Sequence, residues 1–219
     1  SRGINHFETA RGYGCSEIQY GAVLGNLLSS KYVKRSELIL QTKVVPSSSA
    51  EKFEETLEKS LKALNIRDGP LKHVDLLSIH GINTRRQLDW TVKFCLPVLK
   101  KYREKGLIRF VGFSTHAMTR LIVDTIRTNE FDYVNLHYHF IGSYTASGSS
   151  DDGLDNRTAL YEARQRNMGV REWYVLSFLS RPLSLRAFFF VSTTLTILVS
   201  ARSRRGEQIK RSEFDSSSL

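Results

Sequence analysis

Short apolar runs recur along most of the chain, and each ends on a polar or titratable residue. Residues 4–7 end at Glu8, residues 37–42 at Lys43, residues 74–79 at His80 and residues 108–113 at Ser114, giving steps of 35, 37 and 34 residues. A fifth run, 133–136, ends at His137 after a shorter step of 23, and a sixth begins at Met168-Gly169-Val170. Runs of this length, rich in Val, Ile, Leu and Phe, predict strands buried on both faces.

Helix-length segments lie between them. Ser48 followed by Glu51 forms a capping-box pattern ahead of Phe53, Leu57, Leu61 and Leu64, an apolar stripe at helical spacing. Glu55 with Lys59 and Glu58 with Lys62 are i, i+4 pairs on the polar side of the same helix. Another helix runs towards Lys105, with Gly106 as its terminator and Pro97 opening its second part or kinking it. Strand, helix, strand at a period near 35 residues means βαβ units and a parallel sheet.

An open dinucleotide-binding sheet calls for a G-x-G-x-x-G turn after a strand, and neither Gly12-Tyr13-Gly14 nor the Gly21 and Gly25 pair fits it. A titratable group at the end of strand after strand is instead the signature of a (β/α)8 TIM barrel, which keeps its active site on that rim. The predicted fold is therefore α/β, an incomplete barrel holding about strands 2 to 6 or 7. At about 35 residues per unit, 219 residues fall short of the ~250 of a typical barrel.

Composition narrows the partners more than the fold. With 41% hydrophobic residues, 25% charged and four Pro, the chain is neither a disordered tail nor a collagen, and its two cysteines, Cys15 and Cys95, suit a reducing compartment. No signal peptide is visible at Ser1, so the expected location is cytoplasmic. The net charge of +10 is uneven: residues 1–163 carry 22 basic and 18 acidic groups, residues 164–219 carry 10 and 4. The basic RSRRG cluster at 202–206 lacks interleaved aromatics, and nucleic-acid binding is not expected. Residues 187–201 are uncharged but shorter than the roughly 20 apolar residues of a membrane span. Residues 142–155 read as a loop by composition.

The chemistry lies at the strand ends. Glu8, Lys43 and His80 each end a different strand and Tyr13 follows the first, so a parallel barrel brings all four to one rim. Singly, each has a structural reading: a helix-entry carboxylate, a solvated lysine, a core-edge histidine and a loop aromatic. Together they form a proton-transfer set. A phenol is a poor acid at neutral pH, an ammonium beside it makes it a better one, and a carboxylate keeps that ammonium charged and oriented. His80 is placed to polarise a carbonyl or orient its oxygen. Such a site donates a proton to an oxygen while hydride reaches its carbon, with no metal needed.

Four segments in order, INHFETARGYG at 4–14, LILQTKV at 38–44, VDLLSIHGIN at 74–83 and KYREKGLIRFVGFSTH at 101–116, resemble the strand-end motifs of the aldo-keto reductases. The likeness continues through DYVNLHYHF at 132–140 and fades after ARQRNMGV at 163–170. His-Phe-Glu ahead of Thr-Ala is most similar to a predicted-oxidoreductase branch whose members often carry a C-terminal iron-sulfur segment. No such cluster is expected here, since nothing beyond Cys95 supplies thiolates. The resemblance implies Tyr13 as general acid, Lys43 and Glu8 as its tuning pair, His80 as substrate orienter, and Ser114 and Asn135 as holders of the nicotinamide amide. Glu8 stands where most of the family has Asp, and Thr115 where Asn follows the serine. It divides the chain into a barrel segment, 1–170, and a divergent basic tail, 171–219, without a recognisable phosphate-binding motif. The implied activity is NADPH-dependent reduction of an aldehyde, ketone or quinone. The alternative is a weak or inactive family member that holds cofactor or partner.

Overall fold

The computed structural model describes residues 3–137 and 155–173, with side chains through Arg171. The 142–154 part of the expected loop and the tail beyond Trp173 lie outside the described residues. Six strands form one sheet in chain order: β1 His6–Glu8, β2 Ile39–Val44, β3 Val74–His80, β4 Ile108–Thr115, β5 Tyr133–His137 and β6 Gly169–Trp173. Every neighbouring pair is parallel, in the curled arrangement of an incomplete TIM barrel. All five strand ends expected from the apolar runs fall at or within one residue of a strand terminus. The strand starts are less regular. Ile4 is 77% exposed and precedes β1, and a 3-10 turn at Arg35–Glu37 delays β2 to Ile39.

The helices are α1 Ser16–Ser29, α2 Ala50–Ala63, α3 Arg85–Trp90, α4 Leu96–Glu104, α5 Thr119–Arg127 and α6 Asn156–Gln165. Phe53, Leu57, Leu61 and Leu64 are fully buried, as their spacing requires. The cap of α2 is shifted by one residue from the expected Ser48: Ser49 has the extended backbone, accepts the Lys52 amide at 3.2 Å and donates to Glu51 Oε2 at 2.6 Å. Lys59 pairs with Glu55 as predicted, whereas Glu58 turns to Arg67 and the Tyr102 hydroxyl. Between α3 and α4 the backbone runs as a π-helical stretch, Thr91–Cys95, with Pro97 at the start of α4 where a missing N–H costs least. Gly106 closes α4 with φ +70°, letting the Leu107 amide reach the Tyr102 carbonyl at 3.1 Å and its own amide reach Arg103 at 2.9 Å.

The strands separate two environments by their period of two. Leu40, Val44, Leu77, Ile79, Val111, Phe113, Val134 and Leu136 belong to the buried apolar cluster shared with the helices. The alternate positions carry His6, Glu8, Gln41, Lys43, Ser78, His80, Ser114, Tyr133, Asn135 and Arg171, a polar inner face. Its lower layer is continuous: Gln41 Nε2 donates to Ser78 Oγ at 3.2 Å, and Ser78 Oγ lies 2.8 Å from the Tyr133 hydroxyl. Glycine makes the room for that tyrosine. A Cβ at Gly112 would stand 2.5 Å from the Tyr133 ring, and one at Gly169 3.3 Å from Tyr133 Cβ. Gly112→Ala is expected to destabilise the protein by about 1–3 kcal/mol through overpacking. The check is a thermal unfolding curve with Tm lowered by roughly 2–4 °C per kcal/mol and recovered in a Tyr133→Leu background.

Helix α1 is tied to β2 from inside. Glu17, 1% exposed, accepts from Thr42 Oγ1 at 2.7 Å, from Ser60 Oγ of α2 and from Arg11 Nη1 at 2.9 Å. The Thr9 amide reaches the Gln41 carbonyl and the Arg11 amide the Lys43 carbonyl, each at 2.9 Å. These bonds hold the β1–α1 loop against the end of β2, where the candidate chemistry lies.

Candidate functional site

The loop after β1 turns back at Gly14, φ +57°, and sets the Tyr13 ring above the end of β2. The structure brings Tyr13, Lys43, Glu8 and His80 together. Lys43 Nζ donates to the Tyr13 hydroxyl at 2.8 Å and pairs with Glu8 Oε1 at 2.7 Å. The same ammonium lies 4.7 Å from the centroid of the Tyr13 ring. Lys43 is 1% exposed and Tyr13 is 44% exposed, so the cation is sealed beneath a phenol that faces the open rim. Because the phenol oxygen accepts from the ammonium, its own O–H remains to donate outwards.

His80 stands edge-on to Tyr13, with ring centroids 5.6 Å apart and planes at 86°. Burial, then the Lys43 charge, then His116 push its pKa down to about 4, which keeps the imidazole neutral at physiological pH. Its Nδ1 is buried without a hydrogen-bond partner among the described residues. Burial also lowers the Lys43 pKa, and the bond to Tyr13 opposes that shift. A neutral imidazole with an open nitrogen beside a phenol defines a place for a polar oxygen.

Ser114 and Asn135 sit next to this group and face each other in register across β4 and β5, while His80 pairs with Ser114 across β3 and β4. Ser114 Oγ accepts the Gly81 amide at 3.2 Å and is 3.5 Å from the Ile79 carbonyl. Asn135 is 1% exposed, and both of its amide atoms lack partners among the described residues. A buried primary amide with neither half satisfied is costly unless something else pairs with it. Thr115, which follows the serine, turns away to donate to the Ile82 carbonyl at 2.7 Å. At the rim, the His116 and His137 rings lie 6.1 Å apart.

One inner-face residue was not anticipated. Arg171 of β6 contacts Glu8 Oε2 and Gln41 Oε1 from across the sheet. Gln41 Oε1 also accepts from His6 Nε2 at 3.1 Å. Burial and then the Arg171 charge push the His6 pKa down to about 4. The signal for Arg171 was its spacing: it stands two residues after Gly169 on the sixth run, the same parity that places Asn135 two after Tyr133.

Comparison with known proteins places the chain. The model of the Aldo/keto reductase family matches residues 1–145. An L-galactose dehydrogenase of Arabidopsis thaliana is 28% identical over 145 residues, covering 63% of this chain and 43% of that protein. Among solved structures, MGS-M4, an aldo-keto reductase from a Medee basin deep-sea metagenome library, is similar with TM-score 0.54 and 20% identity over 78% of this chain and 54% of its own. A Bombyx mori aldo-keto reductase solved in complex with NADP has TM-score 0.51 and 18% identity over 77% of this chain and 51% of its own. The chain spans about half the length of the relatives it matches. No described helix is long and apolar enough to cross a membrane.

Proposed function

The chain belongs to the aldo/keto reductase family, and from that premise we propose that it reduces the carbonyl of a small aldehyde, ketone or quinone with NADPH. The observation that carries the reading is the unbroken contact series Glu8–Lys43–Tyr13 with His80 against the phenol. Tyr13 donates its proton to the substrate oxygen. Lys43 holds the phenol oxygen and stabilises the negative charge that the phenol acquires, and Glu8 keeps Lys43 charged and aimed despite its burial. Neutral His80 orients the carbonyl oxygen towards Tyr13 without competing as the acid.

The residues present fit a nicotinamide. The unsatisfied Asn135 amide offers a donor and an acceptor for a carboxamide, with the Ser114 hydroxyl beside it. When bound, the reduced nicotinamide supplies the hydride that reaches the carbonyl carbon.

Titration of the purified chain with NADPH and NADH, following intrinsic fluorescence, tests the reading together with turnover of generic aldehydes and quinones. Saturable quenching and carbonyl-dependent NADPH oxidation are expected. Asn135→Leu should weaken NADPH binding about tenfold, as expected for losing one or two hydrogen bonds. No quenching up to millimolar cofactor overturns the reading. Binding without turnover favours a cofactor-holding module instead.

A further inference from the structure

Arg171 is the one guanidinium on the described inner face, and it contacts the same carboxylate that aims Lys43. Glu8 is divided between two cations, Oε1 facing Lys43 and Oε2 facing Arg171. Gln41 Oε1 accepts from the same Arg171 Nη1 that faces Glu8, and Gln41 is itself held by His6 and by Ser78. The arrangement is costly for a scaffold, because burying a cation demands good geometry and partners, and a packed apolar side chain would fill the space at lower cost. Only 12% of the Arg171 side chain is exposed, and burial lowers its pKa to about 10.

We propose that Arg171 is a positioning residue for the proton-donating site: it braces Glu8 from β6, so that the longer glutamate side chain presents one fixed oxygen to Lys43 and Lys43 stays under the Tyr13 hydroxyl. The proposal rests on the reductase reading of that site. A glutamate has one more rotatable bond than an aspartate, and two anchors at its two oxygens remove that freedom. The brace also sets the local charge. Glu8 cancels one of the two cations, leaving a single positive charge beneath the phenol, while His6 and His80 remain neutral beside it.

The test uses the full chain as wild type, Arg171→Met, Arg171→Lys, Glu8→Gln and the Arg171→Met/Glu8→Gln double variant. Arg171→Met is expected to lower kcat roughly tenfold with KM within about twofold, since a displaced catalytic group costs rate rather than binding. Arg171→Lys should recover part of the loss. In the Glu8→Gln background, Arg171→Met should cost little more, because the brace acts through Glu8. An independent readout is the NMR titration of the histidine rings. In Arg171→Met the His6 midpoint should rise above about 4 as the Arg171 charge is lost, with burial still holding it below its ordinary value, and the His80 midpoint, which the Lys43 charge depresses, should shift as Lys43 is released. Equal losses in both Glu8 backgrounds, or an unmoved His80 midpoint in a folded Arg171→Met variant, overturn the proposal. A wild-type chain that binds no cofactor and reduces no carbonyl overturns the reductase reading alone, and the brace then stands or falls on the His80 titration.

Discussion

Tyr13→Phe is expected to lower kcat/KM for carbonyl reduction by about 10²–10⁴-fold, the scale of a positioned general acid. NADPH affinity should change little, because the phenol touches Lys43 and His80 and no residue assigned to the cofactor. The substitution removes one oxygen from a residue that is 44% exposed, so the fold has little reason to respond. What it leaves behind is Lys43 with Glu8 as partner and no phenol oxygen above it. Steady-state kinetics beside a cofactor titration make the distinction. Turnover equal to wild type would falsify the role of Tyr13, whatever the family.

The largest effect on stability is expected at the opposite end of the strands. Asp75, 3% exposed as a side chain, accepts at Oδ2 from Arg35 at 2.6 Å and from the Leu40 amide at 2.9 Å, and at Oδ1 from Arg109 at 2.8 Å, with His73 Nε2 3.3 Å away. Arg35 in turn donates to the carbonyls of Leu71, Leu38 and His73. One carboxylate therefore joins β2, β3, β4 and the loop before β2. Asp75→Ala strands Arg35 among carbonyls without its counter-charge and is expected to cost about 3–5 kcal/mol.

The pH dependence has a definite sign. Burial raises the Asp75 pKa, but the bonds from His73, the Leu40 amide and Arg35 outweigh it and hold the carboxyl well below its ordinary 3.8. A folded-state value below the unfolded one contributes stability that is complete above the unfolded pKa and is lost as pH falls through the folded value. The urea midpoint of the wild type should therefore drop as pH falls below about 4. The gap between wild type and Asp75→Asn should narrow over the same range. A gap that stays constant down to pH 2, or an Asp75→Ala cost under about 1 kcal/mol, would show that the cluster contributes little.

Much of this organisation was legible in the residues because strand ends in a parallel sheet share one rim. Glu8, Lys43 and His80 could be found by marking where apolar runs stop, and Tyr13 by its place just after the first. The inner face was harder to see. Gln41, Ser78 and Tyr133 look like polar or aromatic interruptions of apolar runs, and only their shared parity makes them a layer. Arg171 was divided from the barrel because the chain ceases to resemble its relatives near residue 170, yet β6 continues through Trp173 and keeps its register with β5. Asp75 carried no local signal, since Arg35 and Arg109 lie 40 and 34 residues away. The cap of α2 shows a finer limit. In Ser47-Ser48-Ser49 the spacing to Glu51 favours Ser48, but the path of the chain leaving β2 gives the extended backbone to Ser49.

The sheet's order also has a kinetic side. Tyr13 and Lys43 lie 30 residues apart in sequence, whereas Arg171 and Gln41 lie 130 apart. Closing the longer loop from an unfolded chain costs about 1.3 kcal/mol more by the logarithmic dependence on length. Parallel neighbours that follow one another in sequence can be added one βα unit at a time, so Tyr13 and Lys43 can meet as soon as the second strand docks. The guanidinium can reach Glu8 only after the sixth has been placed. On a ribosome, the Tyr13–Lys43 pair would be assembled well before Arg171 has emerged.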